Sequence, residues 1–129
     1  MKIFTIDLKN QPGELAHVGE VLGQRGVNLE LGGVTAGDHG LVFLTATDED
    51  TARAALDAGR VPYTEHPAIQ VKCADRPGEV GRFARKLTDG NVNIEGLLPM
   101  SICGGEVVFA TCTDNPDEAR RILGDQVIG

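Results

Sequence analysis

The stretch Asn10-Gln11-Pro12-Gly13-Glu14-Leu15 decides the fold, because its centre recurs as Pro77-Gly78-Glu79. Laid on each other without a gap, residues 12–30 and 77–95 share seven identities in nineteen positions. Such self-similarity marks an internal duplication, and two copies are too few for a solenoid, whose repeats bury one continuous core. The sequence therefore predicts two similar repeats of about 65 residues each.

The offset between the two repeats grows downstream from 65 to 67 residues. Val42-Phe43 aligns with Val108-Phe109, and Ala52-Arg53 aligns with Ala119-Arg120. Loops change length more readily than packed elements do. We therefore expect the extra residues of the second repeat to lie in loops.

Length and composition favour two small domains that support each other. The 129 residues are 41% hydrophobic and 24% charged, as in an ordinary globular protein. A unit of this size buries only ~60% of its unfolded surface and is marginally stable alone. The predicted domains are residues 1–66 and 67–129, packed as a pseudo-dimer whose edge strands join into one continuous sheet.

The hydrophobic pattern predicts the order β-α-β-β-α-β in each repeat. In the first repeat Pro12 suits the first position of a helix, Gly26 ends that helix, and a strand follows. In the second repeat only residues 126–128 remain for the last strand, so this repeat is trimmed at its C-terminal end. Residues 65–67 are the predicted linker. The order is that of two tandem ferredoxin-like units in the α+β class.

Several classes of function are disfavoured by the composition. The chain lacks metal-ligand clusters, phosphate-binding glycine loops and nucleophile motifs, so we expect no cofactor, no metal and no enzymatic activity. A net charge of −7 argues against nucleic-acid binding. No apolar run reaches the length of a membrane span, which predicts a cytoplasmic protein. Cys73, Cys103 and Cys112 lie in apolar runs and are predicted to be buried thiols of a reducing compartment.

The loop before the first helix offers an anion-binding site. Gly13 lets the backbone approach a ligand closely, and the free N–H groups of a helix N-terminus attract negative charge. Together with the amides of Asn10 and Asn28, these groups suit the carboxylate and ammonium of a free amino acid. An alternative fits the same residues equally well, in which Asn10 forms an Asx-turn and Asn28 caps its strand.

The N-x-P-G-x-L loop, followed by a helix and then Gly26-Val27-Asn28, resembles the ACT domain, a small-molecule regulatory module. The resemblance covers nearly the whole chain, because both repeats carry it. It implies that an amino acid binds at an interface between two copies of the domain. The ligand-binding residues that it implies are Asn10, Gln11, Pro12, Gly13, Glu14, Leu15, Val27 and Asn28 in the first repeat, with Asp75, Gly78 and Asn93 in the second.

The second repeat departs from this pattern at two positions. Asp75 replaces the loop Asn, and Asn91 replaces the Gly that ends the helix. An ionised Asp75 repels a ligand carboxylate, whereas Asn10 donates to it. We therefore expect the Asp75 loop to bind more weakly than the Asn10 loop.

Residues and resemblance together predict a non-enzymatic regulatory module that binds an amino acid or a similar small ligand between its two ACT-like halves. Its output would pass through a regulated partner protein or through a homo-oligomer such as a homodimer. The alternative is a structural or protein-interaction module whose ligand sites have degenerated. A third possibility is a small enzyme of ferredoxin-like fold.

Overall fold

Two compact units make up the chain in the computed structural model, which describes residues 1–129. The first unit is Lys2–His66, and the second is Pro67–Gly129 together with Met1. Their strands form two separate sheets, one of four strands and one of three.

The first unit follows the predicted order of strands and helices. The strand order in its sheet is β2-β3-β1-β4, and β3 is antiparallel to both β1 and β2. The predicted linker at residues 65–67 is wrong, because these residues belong to β4. The elements are β1 (Lys2–Lys9), α1 (Glu14–Gly23), β2 (Leu29–Ala36), β3 (His39–Ala46), α2 (Glu49–Ala58) and β4 (Thr64–Pro67).

The core of the first unit lies between one face of this sheet and the two helices. Strand alternation directs every second residue of β1 and β3 to that face, where Phe4 lies opposite Leu44 and Ile6 lies opposite Val42. Each fully buried side chain of this size contributes about 1.5–3 kcal/mol relative to an exposed one. The buried residues of the cluster are Phe4, Ile6, Val18, Leu22, Val42, Leu44, Ala52, Ala55, Leu56 and Val61.

The second unit repeats this plan with a reduced final strand. Its sheet has the order β5-β7-β6, and residue Val127 adds one antiparallel bridge to Val71 in place of a fourth strand. The elements are β5 (Ile69–Ala74), α3 (Glu79–Asp89), β6 (Ile94–Cys103), β7 (Glu106–Thr113), α4 (Pro116–Leu123) and a 3₁₀ turn (Gly124–Gln126).

The core of the second unit contains a polar residue where the first has leucine. Ile69 lies opposite Thr111 just as Phe4 lies opposite Leu44. Thr111 is 1% exposed, and its Oγ1 has no hydrogen-bond partner. A buried hydroxyl without a partner is destabilising, so this strand position is less favourable than its counterpart in the first unit.

Two β-bulges in β6 explain why the offset between the repeats grows. In the β6–β7 ladder the register skips Glu95 and then Met100, so each bulge adds one residue to β6. Strand β6 accordingly has ten residues, whereas β2 has eight. The extra residues lie inside a strand, so the expectation that they lie in loops is wrong. The same shift makes Val42 equivalent to Phe109, one residue away from the alignment based on sequence.

Both helices α1 and α3 begin one residue after a left-handed glycine. Gly13 has φ +93° and Gly78 has φ +91°, and each is the N-cap residue of its helix. Pro12 therefore precedes the N-cap and is not the first helical residue, which corrects the prediction. The left-handed conformation is costly for a residue with a side chain, which accounts for glycine at both positions.

Two further observations concern the burial of the cysteines and the length of the helices. Cys73 and Cys112 are buried as predicted, but Cys103 is exposed at the end of β6, beside the Gly104-Gly105 turn. The prediction is therefore wrong for Cys103. None of the helices combines the length and the apolar character that crossing a bilayer requires.

Candidate functional site

The loop between β1 and α1 is fixed to the turn that joins β2 and β3. The Asn10 backbone N–H donates to the carbonyl of Asp38 at 2.9 Å, and Asn10 Nδ2 donates to the carbonyl of Gly37 at 2.9 Å. An Asx-turn at Asn10 would need an N–H two residues later, where Pro12 has none. Asn10, which is exposed, therefore anchors the loop to the turn between β2 and β3 through its backbone N–H and its side-chain amide.

The start of α1 is open to a ligand. Gly13 provides no side chain to cap the helix, and no atom lies within 4 Å of the position that a Cβ would take there. The first intrahelical bond runs from the His17 N–H to the Gly13 carbonyl at 3.0 Å. The N–H groups of residues 14–16 thus precede the helical ladder and carry the positive end of the helix dipole.

Side chains around this opening supply both polar and apolar surface. Gln11 Nε2 donates to Glu14 Oε1 at 3.3 Å, which holds the carboxylate beside the loop. Leu15 is 52% exposed although it lies in the first turn of the helix. Pro12 and Gly13 are also exposed. Five of the predicted residues, from Gln11 to Leu15, therefore surround one surface.

The other two predicted residues of the first unit lie at the opposite end of the sheet. The Asn28 carbonyl accepts from the Thr47 N–H at 3.3 Å, just beyond the last residue of β3. Asn10 lies beside the first residues of β3, so the two amides are about 25 Å apart at ~3.3 Å per strand residue. Val27 packs partly against the core. A single first unit does not bring Asn28 to the loop.

The equivalent loop of the second unit is anchored in the same way but is occupied by its own side chains. The Asp75 N–H donates to the Gly105 carbonyl at 2.8 Å. Glu79 Oε1 accepts from Arg76 Nε at 2.6 Å and from Arg82 Nε at 3.1 Å. The hydrogen bond from Arg76 holds the pKa of Glu79 below its ordinary value of 4.5.

Arg82 also covers the glycine of this loop. Its Nη2 donates to the Pro77 carbonyl at 3.3 Å and lies 3.3 Å from the position that a Cβ would take on Gly78. Arg76 and Arg82 are not among the predicted ligand-binding residues. The gapless alignment contains the signal, because it places Arg76 on Gln11 and Arg82 on His17.

Asn93 occupies the same position in the second unit as Asn28 in the first, but its backbone makes one additional hydrogen bond. Its carbonyl accepts from the Asp114 N–H at 3.1 Å, and its own N–H donates to Asp114 Oδ1 at 2.9 Å. Asn91 has φ +58°, close to the +67° of Gly26 at the equivalent position. Asn tolerates the left-handed conformation better than most residues, so this replacement preserves the backbone path.

No three His, Cys, Asp or Glu side chains are grouped so that they could hold a metal ion. The groups at the loop of the first unit are hydrogen-bond donors and acceptors. They can bind a small charged molecule through its carboxylate, its ammonium and an apolar part.

Solved structures share the fold of this chain. A protein of Bacteroides thetaiotaomicron matches it with a TM-score of 0.86 at 23% identity, over 98% of this chain and 90% of its own. The ligand-free regulatory subunit of aspartate kinase from Thermus thermophilus matches with a TM-score of 0.67 at 18% identity, over 97% and 90%. Aspartate kinase of Clostridium acetobutylicum matches with a TM-score of 0.61 at 15% identity, over 95% of this chain and 32% of its own.

At these identities the likeness establishes the fold. No protein-family profile matches the sequence, and no curated protein matches it significantly. The two ferredoxin-like units and their order nevertheless agree with the prediction made from the repeated Pro-Gly-Glu loop. The chain therefore has the tandem ACT-like fold, which it shares with the regulatory subunit of aspartate kinase.

Proposed function

We propose that the protein is a non-enzymatic regulatory module that binds a free amino acid, or a similar small ligand, at the loop of the first unit. The observation that carries the proposal is the open start of α1, where Gly13 leaves the space above the helix unobstructed. The N–H groups of the first turn suit a carboxylate. The regulatory output passes to a partner protein.

The surroundings of the opening fit the rest of an amino acid. The Glu14 carboxylate, held by Gln11, is an acceptor for the ligand's ammonium. Leu15, half exposed in the first turn, offers apolar surface to the ligand's side chain. One loop thus serves three parts of the same small molecule.

A second molecule of the protein completes the site in this proposal. Strand β2 is at the edge of its sheet, and its outer backbone groups are available for pairing. The strand contains no proline, bulge or lysine, and Glu30 is its single charged residue. Leu31 and Val34 are 38% and 73% exposed. A regular apolar edge of this kind favours pairing with another strand.

The register of such a pair brings the separated amides together. The proposal has the helices of both molecules on one side of the joined sheet, and in an antiparallel pair this requires that residues of the same face lie opposite each other. Among the registers that meet this condition, the two in which the β2 strands overlap most have Gly32 opposite Gly32 of the second molecule, or Gly33 opposite its Gly33. The second molecule's Asn28 then lies opposite residue 36 or 38, beside the Gly37 carbonyl that holds Asn10. The sequence analysis predicts a ligand between the halves of one chain, whereas this proposal has it between two molecules.

A melting screen with each of the twenty free amino acids tests ligand binding. A ligand that binds only the folded protein raises the melting temperature. Asn28→Ala should weaken binding by about 1–3 kcal/mol, because it leaves a charged ligand group without its hydrogen bond. Asn93→Ala is the matched control, since Asn93 is exposed at the equivalent position of the second unit. No shift with any amino acid would refute the proposal and leave the interaction module as the function.

The assembly is tested by molar mass in solution. Val34→Lys places a charge on the β2 edge and should convert a dimer to a monomer. Ile102→Lys is the control, because Ile102 is 67% exposed on the corresponding hairpin of the second unit. A dimer that survives Val34→Lys, or a monomeric unmodified protein, would contradict pairing through β2.

A further inference from the structure

We infer that the second unit holds no ligand, so that each chain carries a single site at the loop of the first unit. The inference rests on the function proposed above. Two independent features of the second unit support it. One is a side chain that occupies the loop, and the other is an edge strand with an interrupted register.

Arg82 occupies the space in which a ligand would meet the start of α3. Its guanidinium is held from two sides, by Glu79 Oε1 at 3.1 Å from Nε and by the Pro77 carbonyl at 3.3 Å from Nη2. Arg76 holds the same Glu79 oxygen at 2.6 Å. Both arginines thus donate to the carboxylate of Glu79, a residue next to their own loop. In addition, the Glu79 N–H donates to the Arg76 carbonyl at 3.3 Å, so one N–H group of the first turn is already used.

The first unit has a counterpart of the Arg76–Glu79 contact, from Gln11 to Glu14, but no counterpart of the Arg82 contacts. His17 stands where the second unit has Arg82, and Gln11 stands where it has Arg76. No atom lies within 4 Å of a Cβ built on Gly13, whereas three atoms of the Arg82 guanidinium lie at 3.3–3.6 Å from one built on Gly78. The two glycines have almost the same φ, so the difference is in the side chains and not in the backbone.

The edge of the second sheet is unsuited to pairing with another strand. Strand β6 carries a bulge between Ile94 and Gly96 and another between Pro99 and Ser101. Bulges twist and interrupt an edge, and Pro99 has no N–H to donate. A second molecule therefore cannot align along β6 as it can along β2. Without such pairing, the Asn93 amide of a second molecule does not lie beside the Gly104-Gly105 turn.

The inference changes the role assigned to Asp75. The sequence predicts that its charge weakens the second loop, and Asp75→Asn would then add a site. If Arg82 and the bulged edge exclude the ligand, Asp75→Asn leaves the number of sites at one. Asp75 is exposed, and the substitution removes none of the contacts that hold Arg82.

Equilibrium dialysis of the 129-residue chain against an equimolar mixture of the twenty isotope-labelled amino acids tests the inference. The bound label should reach one molecule per chain, both in the unmodified protein and in Asp75→Asn. Asn28→Ala should lose the bound label, and Asn93→Ala should retain it. In amide NMR spectra, the mixture should shift the signals of Gly13 and Leu15 and leave those of Gly78 and Val80 in place.

Three results would overturn the inference while the proposed function stands: two bound molecules per chain, loss of label in Asn93→Ala, or shifts at Gly78 and Val80. Absence of bound label in the unmodified protein would instead refute the proposed function, and the single-site inference with it.

Discussion

Replacing Thr111 by valine should stabilise the second unit. Thr111 is 1% exposed, its Oγ1 has no partner, and the equivalent core position of the first unit is Leu44. A buried hydroxyl without a hydrogen bond costs about 1–3 kcal/mol, and valine replaces it by a methyl group of similar volume. We therefore expect the free energy of unfolding to rise by about 1–3 kcal/mol. The melting temperature should rise by roughly 3–6 °C per kcal/mol for a chain of this length.

Urea unfolding monitored by circular dichroism gives the free energy directly, provided that the m-value is unchanged. Thr111→Ser is the control, because it keeps the hydroxyl and removes the methyl group, and it should be destabilising. The expected order of stability is valine, threonine, serine. A Thr111→Val protein that is less stable than the unmodified one would show that the hydroxyl is hydrogen-bonded in solution, which contradicts the reasoning.

Two further predictions concern packing and pH. Gly59→Ala should destabilise the first unit by about 1–3 kcal/mol, since its Cβ would lie 2.7 Å from both γ carbons of Val21. Adding Val21→Ala to this variant should restore stability. Gly19→Ala is the control and should not destabilise, because no atom lies within 4 Å of its Cβ position. Glu79 has its pKa below 4.5 because Arg76 donates to it, so this carboxylate stabilises the folded state above that pH and ceases to do so as the pH falls through its folded-state pKa. Unfolding curves measured between neutral and acid pH should therefore lose less stability in Glu79→Gln, and an unchanged acid dependence would count against the role of this ion pair.

The fold follows from the sequence because its signals are local and repeated. A left-handed glycine before α1 and before α3, alternating apolar residues in the strands and Asn115 as a side-chain cap of α4 all act within a few residues. The sequence could not place the bulges, because a bulge depends on which residues of two distant strands lie opposite each other. The alignment of Val42 on Val108 looked equally good and is one residue out of register.

The sequence predicts that the loop residues of the candidate site lie together, but it does not predict where Asn28 lies. The loop from Gln11 to Leu15 is one continuous segment, so its members had to lie together. Asn28 is joined to that loop in sequence by α1, which carries the chain back to the other end of the sheet. The sequence does not predict the role of Arg82, because this role depends on the conformation of a long flexible side chain. In the structure the guanidinium of Arg82 lies over Gly78.

Identical residues in the two repeats do not hold equivalent places. Glu30 and Glu95 match in the alignment, yet Glu30 lies opposite Thr45 in a regular ladder and Glu95 is the residue that the first bulge leaves without a partner. The first bulge thus falls on the last residue of the segment of highest identity, so the two repeats keep the same backbone at the start of α1 and α3 and differ in the edge strand. Because a regular edge is what lets a second molecule contribute its amide, a change confined to β6 is sufficient to remove this function from the second unit. In the proposed assembly the first unit binds the ligand and pairs, and the loop of the second unit, where Arg76 and Arg82 replace Gln11 and His17, has neither task.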